Sequence, residues 1–68
     1  MMPEEAKVLS YLRQHSHASV RDVAAVCGQA RVARIVADLD WQGYVTVFYE
    51  PGGEPSALQI TERGRRQA

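Results

Sequence analysis

Apolar residues along this chain follow helical spacing three times and then change period. Val8, Leu9 and Leu12 form the first stripe, with Ala6 and Tyr11 at its margins, reaching about residue 15. Val20, Val23, Ala24 and Cys27 form the second, at i, i+3, i+4 and i+7. After Gly28 the same spacing returns as Val32, Ile35, Val36 and Leu39. Each stripe predicts a helix with one face turned to a core. Val45-Thr46-Val47-Phe48-Tyr49 is instead β-branched and aromatic and predicts a strand. Ala57-Leu58-Gln59-Ile60 alternates and predicts the returning strand of a hairpin. Between them, Pro51-Gly52-Gly53-Glu54-Pro55 is a turn whose two prolines block further ladder pairing.

The boundaries carry their own signals. Pro3 suits the first turn of a helix, where its missing N–H is not needed, and Glu4 and Glu5 complement the helix dipole. His15-Ser16-His17 breaks the first pattern, leaving Ala18 as a brief extended link. Ser19 is placed to cap the second helix, with Asp22 adding charge to its first turn. That helix ends near Cys27, because Gly28 supplies the left-handed residue common at helix ends. The third helix is expected from Gln29 or Ala30 to about Gln42, stopped by Gly43, and Thr61 to Arg65 should form a terminal helical turn that frays. These elements make a single α+β domain over residues 1–68: three helices, a hairpin and a short helical turn. The second and third helices form a helix-turn-helix, a shape that presents its later helix to a groove. It points to binding rather than catalysis.

Composition narrows the setting. A chain of 68 residues buries only about 60% of its unfolded surface, so its stability is modest. The single cysteine, Cys27, leaves no internal disulfide and favours a reducing compartment, so a cytoplasmic location is expected. With no long apolar run and no basic-then-apolar leader, neither a membrane span nor secretion is expected. Eight Lys plus Arg balance eight Asp plus Glu. Nucleic-acid binders usually carry a basic excess, so any such role here requires charge segregated by face.

Candidate chemistry is sparse. His15, His17 and Cys27 lack recognisable zinc spacing, and Cys27 falls on an apolar stripe. Gly52-Gly53 has no following Lys-Ser or helix and does not make a phosphate loop. No Ser-His-Asp, Cys-His or paired-carboxylate set stands out. No metal, cofactor or enzymatic activity is expected.

Three local patterns, in this order, resemble the winged helix-turn-helix family, including MarR-type and PadR-type bacterial regulators. They are Ser19-Val20-Arg21-Asp22-Val23-Ala24, Leu39-Asp40-Trp41-Gln42-Gly43-Tyr44-Val45 and Ile60-Thr61-Glu62-Arg63-Gly64-Arg65. The resemblance covers nearly the whole chain. It implies a DNA-binding transcriptional regulator, acting as a dimer on two-fold symmetric sites, with its third helix in the major groove. Opposite the core stripe, that helix carries Ala30, Arg34, Ala37 and Trp41, flanked by Arg31 and Asp38 on one side and Ala33 on the other. Arginine reads guanine, glutamine reads adenine, and alanine touches a thymine methyl. Gln29, Ala30, Arg31, Ala33 and Arg34 are therefore the candidate DNA contacts, supported by Arg21 from the second helix. Two features depart from the family. The turn after Gly28 is about two residues short, by comparison with the family's helix-turn-helix pattern, and the wing tip carries Glu50 and Glu54 with no Lys or Arg.

Trp41 stands apart, directly opposite the core stripe. Either it folds over the helix end against the hairpin or first helix, or it forms an interface with Phe48, whose side chain points away from Val45, Val47 and Tyr49. The second possibility defines the alternative function: a winged-helix module that binds a protein partner or a second copy. Arg63, Arg65 and Arg66 form a basic end, either a solvated tail or a secondary phosphate contact.

Overall fold

The structure, a computed structural model, describes residues 2–67. Helix α1 runs Pro3–His15, with Pro3 at its first turn, Glu4 and Glu5 after it, and Arg13 and His15 in its last turn. Both charge placements oppose the helix dipole favourably. The helix ends at Ser16, which adopts φ 67° and donates its N–H to Leu12 at 2.7 Å. Strand β1 (His17–Ser19) follows, where an extended link was expected. Helix α2 (Val20–Cys27) starts as its sequence requires: Ser19 Oγ accepts the Asp22 N–H at 3.1 Å. Gly28 ends it at φ 95°.

Helix α3 spans Val32–Trp41, a later start than Gln29 or Ala30. The Gly28 carbonyl accepts both the Arg31 and Val32 N–H groups, at 3.2 and 3.1 Å, so Gln29, Ala30 and Arg31 form a tight turn ahead of the helix. Its C-terminus closes at Gly43 (φ 78°), where Tyr44 N–H reaches back to the Leu39 carbonyl. Strands β2 (Val45–Tyr49) and β3 (Pro55–Ile60) make the hairpin. Pro55 belongs to β3 and pairs with Tyr49, contrary to the expected block. As the first residue of its strand it needs no ladder N–H there, and a register shift beside Tyr49 accommodates it.

The sheet is three-stranded and antiparallel, in the order β1-β3-β2. Leu58 faces Ala18 on one side and Val47 on the other. Beneath it lies one apolar core, in which Val8, Leu9, Leu12, Val23, Ile35, Leu39 and Leu58 are essentially inaccessible. Val20 and Cys27, assigned to the core face of α2, are only partly buried. The short helix α4 (Glu62–Gln67) is pinned rather than frayed. Thr61 Oγ1 donates to the Gly43 carbonyl at 2.7 Å and accepts the Gly64 N–H at 3.0 Å. Arg65 reaches the Arg13 carbonyl and Ser16 Oγ, at 3.4 and 3.3 Å.

Candidate nucleic-acid interface

The α2–turn–α3 unit exposes every residue singled out for DNA contact: Arg21, Gln29, Ala30, Arg31, Ala33 and Arg34. They do not form one cluster. Ala30, Arg31 and Arg34 line a shallow cleft of about 290 Å³ with Met2 and Ile35. Arg21 lies in a second cleft lined by Ser19, Val20, Glu50, Pro55 and Ser56, at the turn end of the hairpin. Because Gln29, Ala30 and Arg31 sit in the turn, only Ala33 and Arg34 project from α3 itself.

The arginines differ in their freedom. Arg31 Nη1 donates to Glu4 Oε1 of α1 at 2.9 Å, so its charge is already neutralised locally. Arg34 Nε lies 3.8 Å from Asp38 Oδ2 one turn on, a looser pair between largely exposed groups. Such exposed pairs contribute at most about 1 kcal/mol and open readily for a stronger partner. Among the described residues Arg21 makes no ion pair. Glu4 was legible as a dipole-complementing acid, but nothing in the sequence linked it to Arg31 across 27 residues.

No protein-family model matches the chain, and no curated protein matches it. Solved structures do. BpsR of Bordetella bronchiseptica, described by the regulation of its DNA binding by 6-hydroxynicotinic acid, matches 98% of this chain with a TM-score of 0.81 at 23% identity. A MarR family transcriptional regulator from Silicibacter pomeroyi matches 96% with a TM-score of 0.77 at 18% identity. The fold is a winged helix. The chain spans about half the length of these neighbours, 50% and 46% respectively.

The wing of this winged helix, the β2–β3 hairpin, is acidic at its tip. Glu50 and Glu54 are exposed there, and Glu50 N–H closes the turn onto the Glu54 carbonyl at 2.8 Å. Of the C-terminal arginines, Arg63 and Arg65 reach other elements, while Arg66 pairs within α4. Arg63 lies over the Tyr44 ring at 5.5 Å, Arg65 is bonded as above, and Arg66 pairs with Glu62 at 3.0 Å. Trp41 does not fold over the helix end: it is 90% exposed, while Phe48 is 48% exposed. Among the described residues the two rings do not stack on each other.

The histidines and Cys27 stay apart. His15 stacks on Tyr11 with ring centroids 4.1 Å apart, and His17 lies exposed on β1. Burial pushes the Cys27 thiol above its ordinary value, and the nearby Glu4 carboxylate adds to the rise. Among the described residues no group of three His, Cys, Asp or Glu is placed to hold a metal, and no helix is long and apolar enough to cross a membrane.

Proposed function

We propose that this winged helix binds double-stranded DNA, as the reading unit of a cytoplasmic transcriptional regulator, with α3 in the major groove. The observation that supports it most is the outer face of α3, where Ala33, Arg34 and Ala37 are exposed and the two alanines are short enough for the helix backbone to approach base edges. Arg34 reads a base, opening its loose pair with Asp38 as needed. Arg21, which makes no ion pair among the described residues, contacts a phosphate from the flank. Gln29, Ala30 and Arg31 lie at the groove edge, where the turn enters α3. Arg31 reaches DNA only by releasing Glu4. The acidic wing stays off the backbone. Residues 1–68 act as one unit, and a second copy supplies the other half-site.

Fluorescence anisotropy against random-sequence duplexes at low and high salt tests this. Arg34→Ala should weaken binding and relax sequence preference, and Arg21→Ala should weaken it without changing preference. Glu4→Gln should tighten binding by freeing Arg31, and Glu54→Ala should leave it unchanged or slightly tighter. A wild type with no salt-dependent binding to any duplex refutes the proposal. The exposure of Trp41 and Phe48 supports a second reading, a winged helix that docks a protein partner or another copy through those rings.

A further inference from the structure

The outer face of α3 carries little hydrogen-bonding chemistry. Its exposed side chains are Ala33, Arg34, Ala37, Asp40 and Trp41, with Asp38 half-buried. Base edges are met chiefly by the N-terminal part of such a helix, and there two of the three exposed side chains are methyl groups. Ala30, exposed in the turn just ahead, adds another. An alanine methyl neither donates nor accepts. The major-groove feature it meets favourably is the 5-methyl group of thymine, which shares its apolar character. The one strong donor among them, Arg34, is engaged with Asp38 through Nε, which leaves its terminal nitrogens for guanine O6 and N7.

We infer that α3 discriminates duplexes by the 5-methyl group of pyrimidines, placed against Ala30, Ala33 and Ala37, beside a guanine read by Arg34. The inference rests on the proposed DNA binding and specifies what that site selects. Hydrogen bonding fixes one base pair, and methyl contact fixes its neighbours. Thymine is the ordinary carrier of that methyl, and 5-methylcytosine presents the same group at the same groove position.

The test leaves the protein unaltered. Duplexes selected from a random pool are remade with deoxyuridine in place of thymidine, which removes only the methyl, and binding is followed by anisotropy. Each contacted methyl should be worth about fourfold in Kd, the equivalent of one buried CH₂. Losing all three contacted methyls should then cost about 60-fold, while uracil outside the selected site costs nothing. Arg34→Ala should lower both affinities and keep their ratio. Equal affinity for the thymidine and deoxyuridine duplexes, with salt-dependent binding intact, overturns this inference and leaves the DNA-binding proposal standing. Absence of salt-dependent binding to any duplex overturns that proposal instead.

Discussion

Replacing a glycine inside a helix by alanine ordinarily stabilises a protein by about 1 kcal/mol, because glycine loses the most backbone freedom on folding. Gly64 of α4 should do the opposite. It is buried, and a Cβ at that position would collide with the Tyr44 carbonyl oxygen and lie 2.9 Å from Ile60 Cγ1. Neither neighbour is free to retreat. The Tyr44 carbonyl accepts the Thr61 N–H at 3.0 Å, and Ile60 is paired with Val45 in the sheet. Helix α4 must therefore move outward, weakening the Thr61 bridge between Gly43 and Gly64. Overpacking of this kind costs about 1–3 kcal/mol, and a weakened hydrogen bond about 1 more. Subtracting the propensity gain leaves Gly64→Ala destabilising by about 1–3 kcal/mol. Gly52 provides the control, since its added Cβ would meet open space and its φ is ordinary. Gly52→Ala should be neutral or stabilising by up to about 1 kcal/mol. Urea unfolding of the two variants and the wild type measures both. A Gly64→Ala protein as stable as the wild type would show that α4 is not held against Tyr44.

Ile35→Ala should cost about 2–5 kcal/mol in the same assay, whereas exposed Gln59→Ala should stay within about 0.5 kcal/mol. Trp41→Ala should leave the unfolding midpoint of the dilute protein unchanged, because the ring adds nothing to the monomer core. If Trp41 anchors a dimer, sedimentation should show the variant weakened in self-association by about 2 kcal/mol or more, and a wild type that is monomeric at every concentration ends that role. Cys27 should be alkylated more slowly in the folded than in the unfolded protein at neutral pH, because its raised pKa leaves less thiolate. By linkage, its contribution to stability is present below the unfolded thiol pKa and lost as pH rises through the folded value, and faster alkylation of the folded form would contradict this.

What the sequence revealed was local and periodic. Val32, Ile35, Val36 and Leu39 announce a buried helix face because four residues within two turns must agree, and all four are buried. Ser19 and Gly28 mark their helix ends through short-range hydrogen bonding and backbone freedom. Strand β1 was hidden because His17-Ala18-Ser19 has no strand pattern of its own and exists through pairing with β3, far along the chain. The start of α3 was misplaced because Gln29, Ala30 and Arg31 suit a first helical turn as well as the tight turn they form. Gly64 lies within the turn expected to fray, and the close approach of the Tyr44 carbonyl that requires a glycine there depends on tertiary placement. The candidate contacts were legible as exposed residues, but the Arg31–Glu4 pair and the split between two clefts depend on tertiary placement.

The balance of charge around α2 and α3 limits how steeply the proposed DNA binding can respond to salt. Only Arg21, Arg31 and Arg34 belong to the proposed interface, and Asp22, Asp38, Asp40 and Glu4 lie on or beside the same elements. Each phosphate neutralised contributes about −0.9 to the slope of log K against log salt. With Arg31 held by Glu4 and Arg34 reading a base, Arg21 alone allows a slope near −1 per copy, and Glu4→Gln should steepen it to about −2. Duplex titrations across a salt series measure both. A slope near −5 or steeper per bound copy would need cations beyond this surface, such as Lys7, Arg13 or the arginines of α4. That result would move the DNA to another face of the molecule. A shallow slope places the burden of affinity on base contacts and on a second copy, which a neutral chain with an acidic wing requires if it is to select a site.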